Sequence, residues 1–442
     1  MSTMIRSEYN MNFSLNDRWL ELIHREEMKA TLASTADKTA MLLRRDGAYS
    51  EDVMDYPLIF PETDFGSLVE NVRMVIYSQQ KIVNAIYKNA GLGGLDELFP
   101  LPGTTLNIID EAEMDVLNNN IIRADIIPSE GGYKICEINY GTPTTGFEAF
   151  NLYHFLSHES GLDFTRKLKA PLSDLADFYK RKMYESGREK LVIFILSKYR
   201  YQGYTSVNFM CKYFQKAMPE FKVAVYDETD YPEELLTPEF GSKTLVYRNF
   251  LIEDLNEYSE FFKKLVDSDA EISSSLVTER LMDKGWFDIL RCEPYQSLLS
   301  EQEISAIARV VPQTEIVTQA NIDRITGQKD ELIFKKRYSC GGQDILLGCD
   351  IEKDTLLRCL ADSKDNGYVA QRIVDSVKLN LSPRIGGKVE PHDVVLGLYF
   401  IGGNANGVFV RVSSRSKVVN VCEGKASSGW AYPLDTWQVH LK

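Results

Sequence analysis

The spacing of hydrophobic and polar residues changes character three times along the chain. Between about residues 15 and 120 the apolar residues recur at helical intervals. NDRWLELIHREEMKATLAS and NVRMVIYSQQKIVNAIYKNAG both read as amphipathic helices, the second stopping at Gly91. At 119–139 the period falls to two. IIRADII sets Arg123 and Asp125 between apolar neighbours, Glu130-Gly131-Gly132 reads as a turn, and YKICEIN returns with Glu137 and Asn139 on one face. Thr142-Pro143-Thr144-Thr145-Gly146 breaks that strand, after which FEAFNLYHFLSHESG and APLSDLADFYKRKMYESGR resume the helical period. From about 189, LVIFILS, KVAVYD and TLVYRN predict short strands, with SVNFMCKYFQKAM as a helix between the first two. Strand, helix, strand at that spacing is a parallel βαβ unit. From about 330, ELIFKKRYS, GQDILLG, GYVAQRIV, VVLGLYFIG, NGVFVRVSS and KVVNV predict strands, with a helix over Leu356–Ala361. The expected fold class is therefore mixed α/β. Three parts are expected: 1–188 with helices and the hairpin, 189–329 as the small parallel domain, and 330–442 as a β-rich part.

The hairpin brings one guanidinium, two carboxylates and one amide to the same side of two adjacent strands. Burying that set needs a partner, and a divalent metal carrying phosphates is one that fits. The alternative is a solvated hairpin with ordinary surface charge, against which the flanking isoleucines and Cys136 imply one buried face. A second cluster, Lys335-Lys336-Arg337-Tyr338-Ser339-Cys340-Gly341-Gly342, sets lysines on a strand before a small-residue loop. There backbone N–H groups could approach phosphate oxygens closely, although a Gly-Gly hairpin tip beside surface lysines is an equally good reading. No GxxxxGK[ST] loop, GxSxG elbow or GxGxxG after a strand is present. Gln371-Arg372-Ile373-Val374 ends a strand that could present backbone groups to an adenine edge. Arg411, alone in an apolar strand, must meet a carboxylate or a phosphate. His154 and His158 share a helix face without a third metal ligand of obvious spacing.

Composition narrows the partners. The formal charge of −14 on 442 residues argues against nucleic acid, since phosphate backbones need a basic surface, but it permits a local basic pocket. The seven cysteines are scattered without a CxxC pair and read as reduced thiols of a cytoplasmic protein. MSTMIRSEYNMNFSL lacks a signal-peptide core, and LVIFIL is far too short to span a membrane, so neither export nor membrane insertion is expected.

Taken in order, these pieces resemble the circularly permuted ATP-grasp ligases, most closely the amide-forming domain of glutathionylspermidine synthetase. That resemblance rests on Arg123-x-Asp125, on Glu137-Ile138-Asn139 and on Thr142-Pro143-Thr144. It continues through VYRN with Arg248, the EPYQSLLSEQE segment, Val311-Pro312-Gln313-Thr314, Lys335 with Gly341-Gly342, Gln371 and Arg411, over roughly residues 115 to 425. The departure is Lys336-Arg337, where the family tends to be apolar. No amidase domain precedes the matching region, so a two-headed synthetase/amidase is not expected. The resemblance implies a permuted ATP-grasp fold. It implies ATP and magnesium, two ions, as cofactors, and a carboxylate and an amine (amino acid, peptide or polyamine) as substrates. It further implies metal ligands Asp125, Glu137 and Asn139, and catalytic Arg123 and Arg411. Lys335 or Lys336 would meet the phosphates with Gly341 and Gly342, Gln371, Arg372, Ile373 and Val374 would hold the nucleotide, and Thr142, Thr144 and Arg248 would hold substrate. A phosphotransferase that stops at the acyl phosphate and a dead nucleotide-binding scaffold are the competing readings.

Overall fold

A computed structural model describes residues 23, 25–45, 52–101, 115–141, 143–160, 170–199, 204–251, 259–274, 277–339, 345–361, 367–419 and 426–433. Its strands, in chain order, are β1 (Leu58–Phe60), β2 (Ile121–Ser129), β3 (Gly132–Tyr140), β4 (Lys190–Ile195), β5 (Lys222–Asp227), β6 (Thr244–Arg248) and β7 (Glu271–Ser273). There follow β8 (Thr314–Ile316), β9 (Leu332–Lys336), β10 (Ile345–Leu347), β11 (Tyr368–Arg372), β12 (Leu379–Leu381), β13 (Glu390–Ile401), β14 (Asn404–Ser413) and β15 (Ser427–Pro433). They form three sheets. One has seven strands in the order β1-β15-β14-β13-β2-β3, with β12 also on β13. The others have four strands each, in the orders β10-β9-β11-β8 and β5-β4-β6-β7.

The hairpin expected at 119–139 is β2–β3, and its register sets Arg123 opposite Asn139 and Asp125 opposite Glu137. Period two therefore delivers all four polar residues to one face. The other face is held by the long helix Glu62–Leu98, where Asn71 donates to the Tyr133 hydroxyl at 2.9 Å and the Tyr140 hydroxyl donates to Gln79. That helix kinks at Gly91 (φ 61°), so the expected stop is realised as a break, with about two further turns running on to Leu98. Helix Pro171–Ser186 starts with proline in its first turn and closes on left-handed Gly187. Helix Glu301–Val310 opens with a Ser300/Glu303 capping box, and Glu303 also takes Lys81 of the long helix at 2.6 Å.

Strands β4, β5, β6 and β7 pair in parallel, and helix Tyr204–Ala217 connects β4 to β5, as the βαβ pattern predicts. The β-rich region divides between two sheets: β8, β9, β10 and β11 make one antiparallel sheet, and β12–β15 join the hairpin in the large one. KVVNV is corrected: Lys417–Val419 is not a strand, and the strand that follows among the described residues is β15, paired between β1 and β14, whose SSGWAYP lacks the β-branched residues that announce a strand. The core of the large sheet includes Phe147, Tyr399 and Trp430, the last two rings stacked at 5.9 Å. Among the described residues no helix is long and apolar enough to cross a membrane, and the five described cysteines are free.

Candidate active site

The polar face of the hairpin is closed by β13 and β14. Asp125 is 1% exposed, and its Oδ1 accepts from Arg123 Nε at 2.8 Å. Its Oδ2 accepts from Arg123 Nη2 at 3.1 Å, Arg411 Nη2 at 2.8 Å and Asn139 Nδ2 at 3.3 Å. Burial would push this carboxyl up, but the two guanidiniums hold it well below the usual carboxylate range. Arg123 is driven the opposite way: burial opposes its charge, yet Asp125 keeps it above the ordinary guanidinium value. Both guanidiniums lie over the Phe409 ring, at 5.9 and 5.8 Å from its centroid. Gly397, opposite Asp125 and Phe409 in the register, makes the room: a Cβ there would stand 2.9 Å from Arg123 Cδ.

Glu137 is the other carboxylate of the hairpin and stands differently. Its side chain is 30% exposed, and Lys284 Nζ approaches Oε2 at 4.0 Å. Across from it, β9 presents Lys335, whose Nζ donates to Cys136 O at 3.1 Å and to Gln371 Oε1 at 2.8 Å. Gln371 in turn donates to Thr314 Oγ1 at 3.1 Å. Strand alternation separates the adjacent lysines: Lys335 lines the cavity and Lys336 does not. Burial pushes the Cys136 thiol up to about 12, so it stays protonated at neutral pH.

Between the large sheet and the β8–β11 sheet lies a cavity of about 360 Å³, large enough for a small-molecule ligand. Its lining includes the aliphatic side chains Ile127, Ile333, Ile345, Val395, Val418 and Val419, of which Ile127, Val395 and Val419 pack together, and also Thr145, Leu251, Glu279 and Met282. Five cationic residues line it (Arg123, Lys284, Lys335, Arg411, Lys417) against three acidic ones (Asp125, Glu137, Glu279), in a chain whose net charge is −14.

The structure brings together Arg123, Asp125, Glu137, Asn139, Lys335 and Arg411, and puts Gln371 beneath Lys335. Other expected residues lie elsewhere. Arg372, Ile373 and Val374 line a separate hollow with Lys134 and Arg291, and Arg372 pairs with Glu331. Arg248 is sealed behind Glu279, its ion-pair partner, and also donates to Phe250 O at 2.7 Å. Thr144 stands beside the cavity wall, which takes Pro143 and Thr145 instead. Thr142, Gly341 and Gly342 lie outside the described residues. Glu279 and Lys284 were not anticipated. They come from a run of short helices, Val277–Leu281 and Trp286–Ile289, that has no sustained period; the dense charge of TERLMDKGW was the available signal.

Magnesium keeps several waters and needs only one or two protein oxygens beside substrate phosphates. Glu137, half open to the cavity, and the Asn139 amide fit that role. Asp125 fits it less well than the sequence suggested, because its oxygens are taken by guanidiniums. No group of three His, Cys, Asp or Glu side chains able to hold a metal occurs among the described residues.

No family model matches the chain, and no curated protein matches it in sequence. Among solved structures it is similar to a glutathione synthetase-like effector from Globodera pallida in its apo form. The TM-score is 0.59 at 13% identity, over 92% of this chain and 97% of that one. A looser similarity is to a γ-glutamylcysteine synthetase candidate from Methylobacillus flagellatus KT, at TM-score 0.40 and 9% identity, over 80% of this chain and 86% of that one. The chain thus has the mixed α/β fold of the effector, over nearly its whole length.

Proposed function

We propose that the protein is an ATP-dependent carboxylate–amine ligase of permuted ATP-grasp architecture. In this reading the hairpin part (1–188) and the β-rich part (330–442) enclose the nucleotide, and 189–329 is a separate substrate-facing domain. The observation that carries the proposal is the excess of cations around one half-open carboxylate, Glu137, in a cavity between two sheets of an acidic protein. A polyanion chelated to a divalent cation suits that charge pattern. The aliphatic part of the lining suits a purine, and the fold of a glutathione synthetase-like protein is consistent with amide synthesis.

Each step follows from residues already placed. Lys335, held by Gln371, and Lys284 approach the phosphates as point charges. Glu137 and Asn139 would hold magnesium, which spreads the charge of the transferring phosphoryl group. A substrate carboxylate oxygen attacks the γ-phosphorus and ADP leaves, giving an acyl phosphate. The amine nitrogen then attacks the acyl carbon, phosphate leaves, and the nitrogen gives up a proton. Arg123, fixed by Asp125 and Phe409, supplies donors to the tetrahedral oxyanion of that second step. The test is purified protein with ATP and magnesium, screened against amino acids, polyamines and small peptides. ADP, phosphate and amide should appear in equal amounts. ADP without amide for any amine, together with an acyl phosphate trapped by hydroxylamine, would establish the phosphotransferase instead.

A further inference from the structure

Arg337, the residue just past β9, is part of the Lys336-Arg337 departure noted in the sequence, and nothing in the site so far uses it. Its guanidinium lies on Asp283, with Nε at 2.9 Å from both carboxylate oxygens and Nη2 at 2.6 Å from Oδ2; the Asp283 side chain is 0% exposed. Nη2 also donates to Leu98 O at the end of the long helix. The pair therefore joins three elements: the end of β9, the turn at 283–286, and the helix that backs the hairpin. Burying a guanidinium and a carboxylate is costly unless their bonds are made, and here they are made several times over.

The residue between these anchors and the cavity is Lys284. Its backbone N–H donates to Arg337 O at 3.1 Å, and its Nζ donates to Ser339 O at 2.8 Å while lying 4.0 Å from Glu137 Oε2. Next to it, Gly285 N donates to Asp283 Oδ1 at 2.7 Å, and a Cβ on Gly285 would stand 3.0 Å from that oxygen and 3.2 Å from Arg337 Nε. The guanidinium thus lies against a glycine that a larger residue would disturb.

We propose that Arg337 and Asp283 are positioning residues: they clamp the 283–286 turn to β9 so that the Lys284 ammonium is fixed over Glu137 at the cavity. That Lys284 then serves a nucleotide rests on the ligase reading; that it is held by the clamp does not. Two measurements separate the claims. The first is the rate at which an acylating reagent labels individual lysines, read by mass spectrometry on the folded protein without nucleotide. Arg337→Met should raise labelling of Lys284 by roughly tenfold, the factor that loss of one charge-assisted hydrogen bond releases. Lys335, held by Gln371 instead, should not change. Gly285→Ala, which crowds the same contact while keeping both charges, should raise Lys284 labelling in the same direction by less, and supplies the answer should Arg337→Met fail to fold. The second is a double-mutant cycle on the affinity for ADP with magnesium. Lys284→Ala and Arg337→Met should each weaken it, and the double variant should be no weaker than Lys284→Ala alone. Unchanged Lys284 labelling in either folded variant, or strictly additive losses, overturns the clamp. If wild type binds no nucleotide, and ATP protects neither Lys284 nor Lys335 from labelling, the ligase reading fails while the clamp stands or falls on the labelling ratio.

Discussion

The two walls of the cavity handle charge in opposite ways. On the large sheet, Arg123 and Arg411 share the single carboxylate of Asp125 before any ligand arrives, leaving one net positive charge, and both Asp125 oxygens are engaged. On the facing sheet, among the described residues, Lys335 donates to the neutral oxygens of Cys136 and Gln371, not to a carboxylate. The same contrast divides the hairpin's carboxylates: Asp125 is sealed, whereas Glu137, opposite it in the register, is open. In the ligase reading proposed above, the charges that pair with each other hold architecture, and the one given neutral partners is the one that meets the ligand.

That contrast can be broken. The largest effect should come from Glu137→Ala, which removes the open carboxylate: ATP turnover should vanish while the thermal midpoint stays that of wild type. Near-normal turnover would take Glu137 out of the metal site. Asp125→Ala should do the reverse and act on the fold. It strands two buried guanidiniums and should cost about 3–5 kcal/mol in denaturant unfolding. The linkage has a definite sign. A carboxyl held below its ordinary value of about 3.9 contributes stability that is complete above that value and is lost as pH falls through its folded value. The gap between wild type and Asp125→Asn should therefore be widest near neutrality and shrink on acidification below pH of about 4. A gap independent of pH would show that the carboxylate charge is not what holds the wall.

Smaller effects sharpen the comparison. Arg123→Lys keeps the charge but loses the fork that serves both Asp125 and an oxyanion, and should slow amide formation by a factor of about 10² to 10³ in single-turnover assays. Lys335→Ala should weaken nucleotide binding by about 1.5–3 kcal/mol in titration calorimetry, more than it weakens binding of the carboxylate substrate. Lys336→Ala should fall within about 0.5 kcal/mol of wild type in the same titration. Equal losses at 335 and 336 would contradict the face that β9 turns to the cavity.

Legibility in the sequence tracked regularity. Arg123, Asp125, Glu137 and Asn139 could be grouped because alternation and a Gly-Gly turn fix which side chains share a face. The choice between Lys335 and Lys336 could not be made, because it needs the register of β9 against β10 and β11, which no local pattern holds. Valines misled at 418–419: they line a cavity instead of a ladder, and β-branched residues suit either place. Arg248 and Glu279 were out of reach for a different reason. Their ion pair joins a strand end to a five-residue helix with no sustained period, so each alone looks like a candidate ligand group, and only their contact shows that one screens the other. Arg337 was marked as an oddity of sequence, and Asp283 is what makes sense of it.

The pairing of β2 with β13 also bears on how the protein is made. A ribosome releases Arg123 and Asp125 long before it has read the codons for Glu390–Ile401, the strand that covers them. During that interval the hairpin has an unpaired edge and its ion pair is open to water, and such non-local closures are slow and prone to association. Synthesis that stalls before β13 therefore leaves a nascent chain whose hairpin exposes a ready template for a neighbour's strand. Quality control would meet this protein as an exposed edge, well before it could meet it as a closed sheet.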